Sequence, residues 1–189
     1  LWGNQATILA GDFLFARAFC MAVEVGHMPI LEVIADTCRA LAEAEMYQFA
    51  KNEDYELTEE QYLYIVHNKT ASLVAAASKS AALLSGLEDR EVAAFERYGF
   101  HLGTAFQIVD DVLDYYSQEK HFGKTTGKDL EEGSVTLPLI AAFRAAAPDD
   151  RSRMLDILTD REKRRSCLKE IISLIEKYGG NDYALQKAQ

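Results

Sequence analysis

Residues 89–116 read DREVAAFERYGFHLGTAFQIVDDVLDYY. Apolar side chains recur at helical spacing throughout, so the stretch predicts one helix from about Asp89 to Tyr116, longer than most. Gly99 and Gly103 are four apart and allow a neighbouring helix to approach closely on one side. Asp110, Asp111 and Asp114 fall within about one turn, with i, i+3 and i, i+4 spacings that let all three project to one side. Three carboxylates set among Phe106, Ile108, Val109, Val112, Leu113 and Tyr115 repel one another and lose hydration.

The same periodicity extends outward. Upstream, Thr58 and Gln61 have capping-box spacing and start a helix expected to run unbroken to about Ser85, closed by Gly86. Its second half, AASLVAAASKSAALLSG, is rich in small residues suited to tight packing. Before it, Ala6 to about Gly26 predicts a helix, with Phe13, Phe15 and Phe19 read as core. Another follows Pro29, its stripe formed by Leu31, Ile34, Ala35, Cys38, Ala42 and Met46. Downstream, SQEKHFGKTTGKDLEEGS predicts a loop of functional length. VTLPLIAAFRAAA predicts a helix interrupted early by Pro138, and Pro148 opens a short one. REKRRSCLKEIISLIEKYGG predicts one amphipathic helix, and NDYALQKAQ starts another. No strand-like alternation and no internal repeat appear. The fold class is all-α.

Composition narrows the function. The chain has 189 residues, 49% of them hydrophobic, and a formal net charge of −10. It can bury a core, and its surface as a whole disfavours nucleic acid or an anionic membrane. No run approaches the roughly 18 consecutive apolar residues of a membrane span, so none is expected. Cys20, Cys38 and Cys167 are odd in number and far apart, which predicts free thiols and a cytoplasmic protein. His27, His67, His101 and His121 share no metal spacing.

The chemistry centres on the aspartates. A bound hard cation relieves both the repulsion and the lost hydration, and an all-oxygen set favours Mg²⁺ or Ca²⁺ over zinc. Asp149-Asp150 and Glu59-Glu60 sit at helix starts, where the macrodipole accounts for them; Asp110, Asp111 and Asp114 lie too deep in their helix for that. The second cue is cationic. Lys69 lies on an apolar stripe with Tyr62, Ile65, Val66 and Leu73, and needs an anion or a route to water. Lys124 and Lys128, in FGKTTGKD, have glycines beside them that let backbone approach a phosphate. This is not a Walker A motif, since Asp129 follows Lys128.

FQIVDDVLDY followed by FGKTTGKDLEEGSVTLPLI resembles the second aspartate-rich motif and loop of the trans-isoprenyl diphosphate synthases, and ILAGDFLFARAF and HNKTASL resemble their GDFL helix and Lys-Thr motif. The blocks stand in the family's order, and the stretches around AEAEMYQF and LTEEQYLYIVHNKT look most like the long-chain bacterial octaprenyl branch. The resemblance implies a bundle of long, mostly antiparallel helices around a central cavity. It implies Mg²⁺ at Asp110, Asp111 and Asp114, with Asp110 the direct ligand, and an allylic diphosphate contacted by Lys69, Thr70, Gln107, Lys124 and Lys128. Asp110 and Lys69 are thereby the catalytic pair. Asp12, in the GDFL match, is expected to be buried and hydrogen-bonded.

The implied reaction condenses an allylic diphosphate, such as farnesyl diphosphate, with isopentenyl diphosphate, and the implied assembly is a homodimer. Residues 1–189 match the middle and later part of the family's single domain, without its first DDxxD, its N-terminal helices or its last helices. The 189-residue piece alone is therefore expected to be inactive. Ser134 stands where many members have Lys. Two other readings are a non-catalytic partner subunit of a heteromeric synthase, against which the intact DDVLD and HNKT stand, and a terpene cyclase, against which the FGKTTGKDLEEG loop stands.

Overall fold

The computed structural model describes residues 3–116 and 127–189. Helix α1 spans Gly3–Val25 and α2 spans Met28–Lys51. Helix α3, Glu59–Val66, runs into a π-helical turn at His67–Ala71 and on into α4, Ser72–Leu84. Helix α5 is Asp89–Tyr116. Six shorter helices follow: α6, Lys128–Glu132; α7, Leu137–Ala145; α8, Pro148–Leu158; α9, Arg161–Ser166; α10, Leu168–Lys177; and α11, Gly180–Lys187. There is no strand among the described residues.

The start signals act as the sequence suggests. The Thr58 hydroxyl accepts from the Gln61 amide at 3.2 Å, and the Gln61 side chain accepts from the Thr58 amide at 2.9 Å. Gly26 and Gly86 follow their helices with φ of +67°, the left-handed conformation glycine adopts without strain.

Two long helices define the frame. Helices α4 and α5 pack along their lengths, and the glycines set the distance. A Cβ on Gly99 would stand 2.6 Å from the Val74 carbonyl oxygen, and one on Gly103 would stand 2.7 Å from Ala71 Cα. The other side of α5 carries the core. Ile108, Val112 and Tyr115 pack with Tyr62 and Val66 of α3, Leu139 and Phe143 of α7, Met154 and Ile157 of α8, and Ile171 and Ile175 of α10. Full burial of each such side chain stabilises the fold by about 1.5–3 kcal/mol.

Several expectations need correction. The helix from Thr58 to Ser85 is not one α-helix, because the π turn divides it. Pro138 does not interrupt a helix; it occupies the first turn of α7, where its missing N–H leaves no intrahelical bond unmade. REKRRSCLKEIISLIEKYGG is two helices, parted at Cys167 with φ −108° and ψ 18°. The buried face of α2 is Ile30, Thr37 and Ala44, seven apart, while Met46 is exposed; α2 is apolar on more than one face, so periodicity alone does not select the buried one.

Helix α1 departs furthest. It touches α2 and buries only Ala22. Phe13 and Phe15 are exposed rather than core, and Asp12 is exposed, with no hydrogen-bond partner among the described residues. By length and composition this helix could cross a membrane, with a mean hydropathy of 1.6 over 18 residues. The expectation that no stretch qualifies is thus corrected: Asp12 and Arg17 break the unbroken apolar run, but two charges leave the average high.

Candidate active site

The ends of α2, α3 and α5, the π turn and the segment 129–136 enclose a cavity of about 180 Å³. Its lining includes Lys69, Thr70, Gln107, Asp110 and Asp111, together with Gln48, Lys51, Asn52, Asp129, Ser134 and Thr136. Five of the eight residues predicted from sequence therefore face one space. The π turn is the local device behind this. The Ser72 N–H bonds to the His67 carbonyl, five residues back, so the chain carries a widened turn where Lys69 and Thr70 meet α5.

The three aspartates do not act as one face. Asp110 is exposed toward the cavity and has no hydrogen-bond partner among the described residues. Asp111 is buried: its Oδ2 accepts from the Tyr62 hydroxyl at 2.6 Å and its Oδ1 from Gln107 Nε2 at 2.7 Å. Asp114 turns toward the following segment, accepting from the backbone amides of Lys128 at 3.3 Å and Asp129 at 3.0 Å. Its own carbonyl accepts from the Gly127 amide at 2.9 Å. The i, i+3 and i, i+4 spacings permit a common face, but hydrogen-bond donors from distant segments divide the side chains among three tasks.

A polar chain crosses from the π turn to α3. The Thr70 hydroxyl donates to Gln107 Oε1 at 2.8 Å, Gln107 donates to Asp111, and Tyr62 donates to Asp111 from the other side. These bonds fix the amide orientation of Gln107. Burial raises the Asp111 carboxyl to about 7, against the opposing pull of its hydrogen bonds. Burial also pushes the Tyr62 and Tyr115 phenols upward.

Asp129 was not singled out from sequence. It lines the cavity together with Asp110, and burial, followed by the charges of Asp114 and Asp110, raises it to about 6. The signal was present only as a carboxylate after the glycine-rich segment, with no spacing to tie it to the DDVLD turn.

The lysines separate. Lys69 Nζ donates to Gln48 Oε1 at 2.7 Å and pairs with Glu45 Oε2 at 2.8 Å, both on α2. It is half-buried, with its ammonium already neutralised. Lys128 does not line the cavity; it is exposed, 3.5 Å from Glu132, beside a second cleft. Lys124 lies outside the described residues, as do Phe122 and His121. Ser134 lines the cavity and donates its amide to the Asp129 carbonyl at 2.8 Å.

Among the described residues no three His, Cys, Asp or Glu side chains converge as a ready-made metal cage. The cavity nevertheless carries three carboxyls, Asp110, Asp111 and Asp129. Two of its carboxyls, Asp111 and Asp129, are held above their ordinary range by burial and by neighbouring negative charge, a state that a divalent cation relieves. The residues thus fit a hard cation shared with a ligand's oxygens rather than one caged by protein.

This helical frame, with a small acidic and cationic cavity at the helix ends, matches a known class. The family model for polyprenyl synthetase matches residues 1–175. The chain belongs to the polyprenyl synthetase family. It is 38% identical to the short chain isoprenyl diphosphate synthase of Methanothermobacter thermautotrophicus over 97% of this chain and 57% of that one. It is 35% identical to the octaprenyl diphosphate synthase of Escherichia coli over 100% of this chain and 58% of that one. Among solved structures it resembles the polyprenyl synthase of Caulobacter crescentus, complexed with calcium and isoprenyl diphosphate. That likeness has a TM-score of 0.92 at 38% identity, and covers 99% of this chain and 57% of the other. The chain therefore spans under two thirds of the length of these relatives.

Proposed function

We propose that the cavity holds the diphosphate of an allylic isoprenoid together with Mg²⁺, and that the protein is a trans-prenyltransferase. It would condense an allylic diphosphate such as farnesyl diphosphate with isopentenyl diphosphate to a longer all-trans polyprenyl diphosphate. One observation carries the reading: Lys69, Thr70, Gln107 and Asp110, drawn from two separate elements, line one cavity.

Each group has a task in that reading. Lys69 exchanges its pairing with Glu45 for the phosphate oxygens. The Thr70 hydroxyl and the Gln107 amide stand where they orient the diphosphate, and the Asp111–Tyr62 pair fixes Gln107 from behind. Asp110 and Asp129, which both line the cavity, would hold the cation. When bound, Mg²⁺ supplies positive charge that stabilises the diphosphate as it leaves. The allylic C–O bond breaks with its electron pair on the diphosphate oxygen. The double bond of isopentenyl diphosphate then attacks the allylic carbon, and a proton passes from the resulting cation to the departed diphosphate, the base that the reaction itself supplies, to regenerate an alkene. Charge that develops on the diphosphate meets the Lys69 ammonium, which makes the stabilisation electrostatic.

Phe95, Leu102, Phe106 and Leu113 leave an exposed apolar strip along α5, which suits an isoprenoid chain leading away from Asp110. The exposed apolar length of α1 supports a homodimer in which a second copy covers it. The test is elongation of farnesyl diphosphate by isopentenyl diphosphate and Mg²⁺ in the protein at its full encoded length, with products sized. Chelator-sensitive elongation that is lost in Asp110→Ala supports the reading. A folded, Mg²⁺-supplied protein that elongates nothing overturns it and leaves the partner-subunit reading in its place.

A further inference from the structure

Glu53 is the one non-glycine residue with positive φ, +62°, among the described residues. A left-handed glutamate is strained unless its surroundings hold it there, and three contacts do. Its amide donates to the Gly133 carbonyl at 3.0 Å. Its carboxylate accepts from Arg164 Nη2 at 2.5 Å. Next to it, Asn52 Nδ2 donates to the Glu132 carbonyl at 3.1 Å.

Arg164, on α9, is the buried member of the ion pair, its side chain 4% exposed against 54% for Glu53. Its Nη1 reaches the Tyr55 hydroxyl at 3.4 Å, and that hydroxyl donates to the Leu158 carbonyl at 2.6 Å. Its Nε has no protein partner, so Glu53 is the anion that neutralises it. Gly133 must be glycine for this arrangement: its φ is +83°, and a Cβ there would stand 2.6 Å from Arg164 Nη1 and 2.7 Å from Glu53 Cγ.

The two segments so joined are two walls of the cavity. Residues 51–57 supply Lys51, Asn52 and Leu57; residues 129–136 supply Asp129, Ser134 and Thr136. Arg164 lines neither wall. It stands behind both, in the polar cleft on the other side of Asn52.

We infer that the Arg164–Glu53 pair is a clamp that sets the width of the cavity, and that Arg164 is a positioning residue for the bound Mg²⁺–diphosphate. This rests on the proposed reading of the cavity. Strain at Glu53 is tolerated because the left-handed turn aims the carboxylate at Arg164 and the amide at Gly133 together. Release of the clamp would let Asn52 and Ser134 drift apart, and small misplacements of positioning groups have large effects on a polar ligand.

The experiment pairs two readouts on the 189-residue chain: affinity for Mg²⁺ plus inorganic diphosphate by calorimetry, and amide hydrogen exchange. All variants are measured at a temperature where circular dichroism shows them folded. Arg164→Met is expected to weaken affinity by about tenfold and to speed exchange of the Glu53, Gly133 and Ser134 amides. Arg164→Lys, which keeps the charge opposite Glu53, should recover part of both, whereas Glu53→Gln, which strips the buried guanidinium of its anion, should lose affinity as Arg164→Met does. Glu53→Gly is the decisive variant. Glycine relieves the backbone strain, so a residue serving only the turn would leave affinity unchanged or improved; the clamp predicts a loss comparable to Arg164→Met. Unchanged exchange and affinity in folded Arg164→Met, or full affinity in Glu53→Gly, overturns the clamp. Wild-type protein that binds no Mg²⁺–diphosphate overturns the ligand reading instead, and faster exchange of the three amides in Arg164→Met still supports the clamp.

Discussion

The phenolic hydrogen of Tyr62 is directed at Oδ2 of Asp111 across 2.6 Å, and both groups are buried. Tyr62→Phe removes the donor and leaves a buried acceptor lone pair unmet, which costs about 1–3 kcal/mol. Urea denaturation without divalent cation should show a lower midpoint with little change in slope. Gln107 would then be steadied only by Thr70 and its own bond to Asp111, so Mg²⁺–diphosphate affinity should fall as well.

Asp111 also sets a pH dependence. Its carboxyl is raised from 3.8 to about 7 by burial. Between those values the folded chain keeps a proton that the unfolded chain has lost. Its contribution to stability is therefore present at low pH, declines as pH rises through that window, and levels off above it. Asp129, raised to about 6, acts with the same sign. Exposed ion pairs oppose this trend, so the measurement is the difference between wild type and Asp111→Asn across pH 4 to 8. Wild type should lose stability relative to the variant as pH rises, at a slope of up to about 1.4 kcal/mol per pH unit. Mg²⁺ should lessen the loss.

Gly103→Ala tests the α4–α5 contact. Alanine is the better helix former by about 1 kcal/mol, but its Cβ would meet Ala71 Cα at 2.7 Å. Backbone cannot step aside as a side chain can, and overpacking of this kind costs about 1–3 kcal/mol. The expected result is a lower melting temperature. Since Ala71 closes the π turn, diphosphate affinity should drop with it; an unchanged affinity would separate the packing from the site.

Lys69 pairs with Glu45 at 2.8 Å, a contact that a bound diphosphate would have to displace. Glu45→Gln removes the competitor. Glu45 is 66% exposed, and such a pair contributes about 0.2–1 kcal/mol. Affinity for inorganic diphosphate should rise by at most about fivefold, and the gain should shrink with added salt. Lys69→Ala should weaken it.

The apolar length of α1 predicts self-association. Phe13 is 68% exposed and Leu9 66%. Phe13→Glu should shift sedimentation velocity profiles of the 189-residue chain toward the monomer. Identical profiles for wild type and variant would remove α1 from the interface.

The sequence was most informative where structure is local. Thr58 and Gln61 mark their helix start by spacing alone, and Gly26 and Gly86 mark the ends of others. The close approach allowed by Gly99 and Gly103, and the small residues of AASLVAAASKSAALLSG, were each readable for the same reason, though not that the two strips meet. What it concealed was set by distant donors and by backbone geometry. Nothing in DDVLD indicates that Tyr62 would claim Asp111 or that the amides of residues 128 and 129 would claim Asp114. Asn68, Lys69 and Thr70 are ordinary helix residues, so the π turn has no compositional mark. Asp129 and the Arg164–Glu53 pair each join segments that only the folded chain brings together.

The π turn has one more consequence. A helix of uniform pitch advances about 100° per residue, so the wide turn acts as an inserted residue that resets the phase of everything after it. Upstream of it, Tyr62 and Val66 address the core; downstream, Ala71, Ala75 and Ser78 address the glycines of α5. Winding the same residues at regular pitch would turn that absorbed residue into a further rotation of about 100°. The small-residue strip of α4 would then rotate away from Gly99 and Gly103 by roughly a quarter turn. In this chain, the wide turn at His67–Ala71 keeps the docking face of α4 in phase with α5.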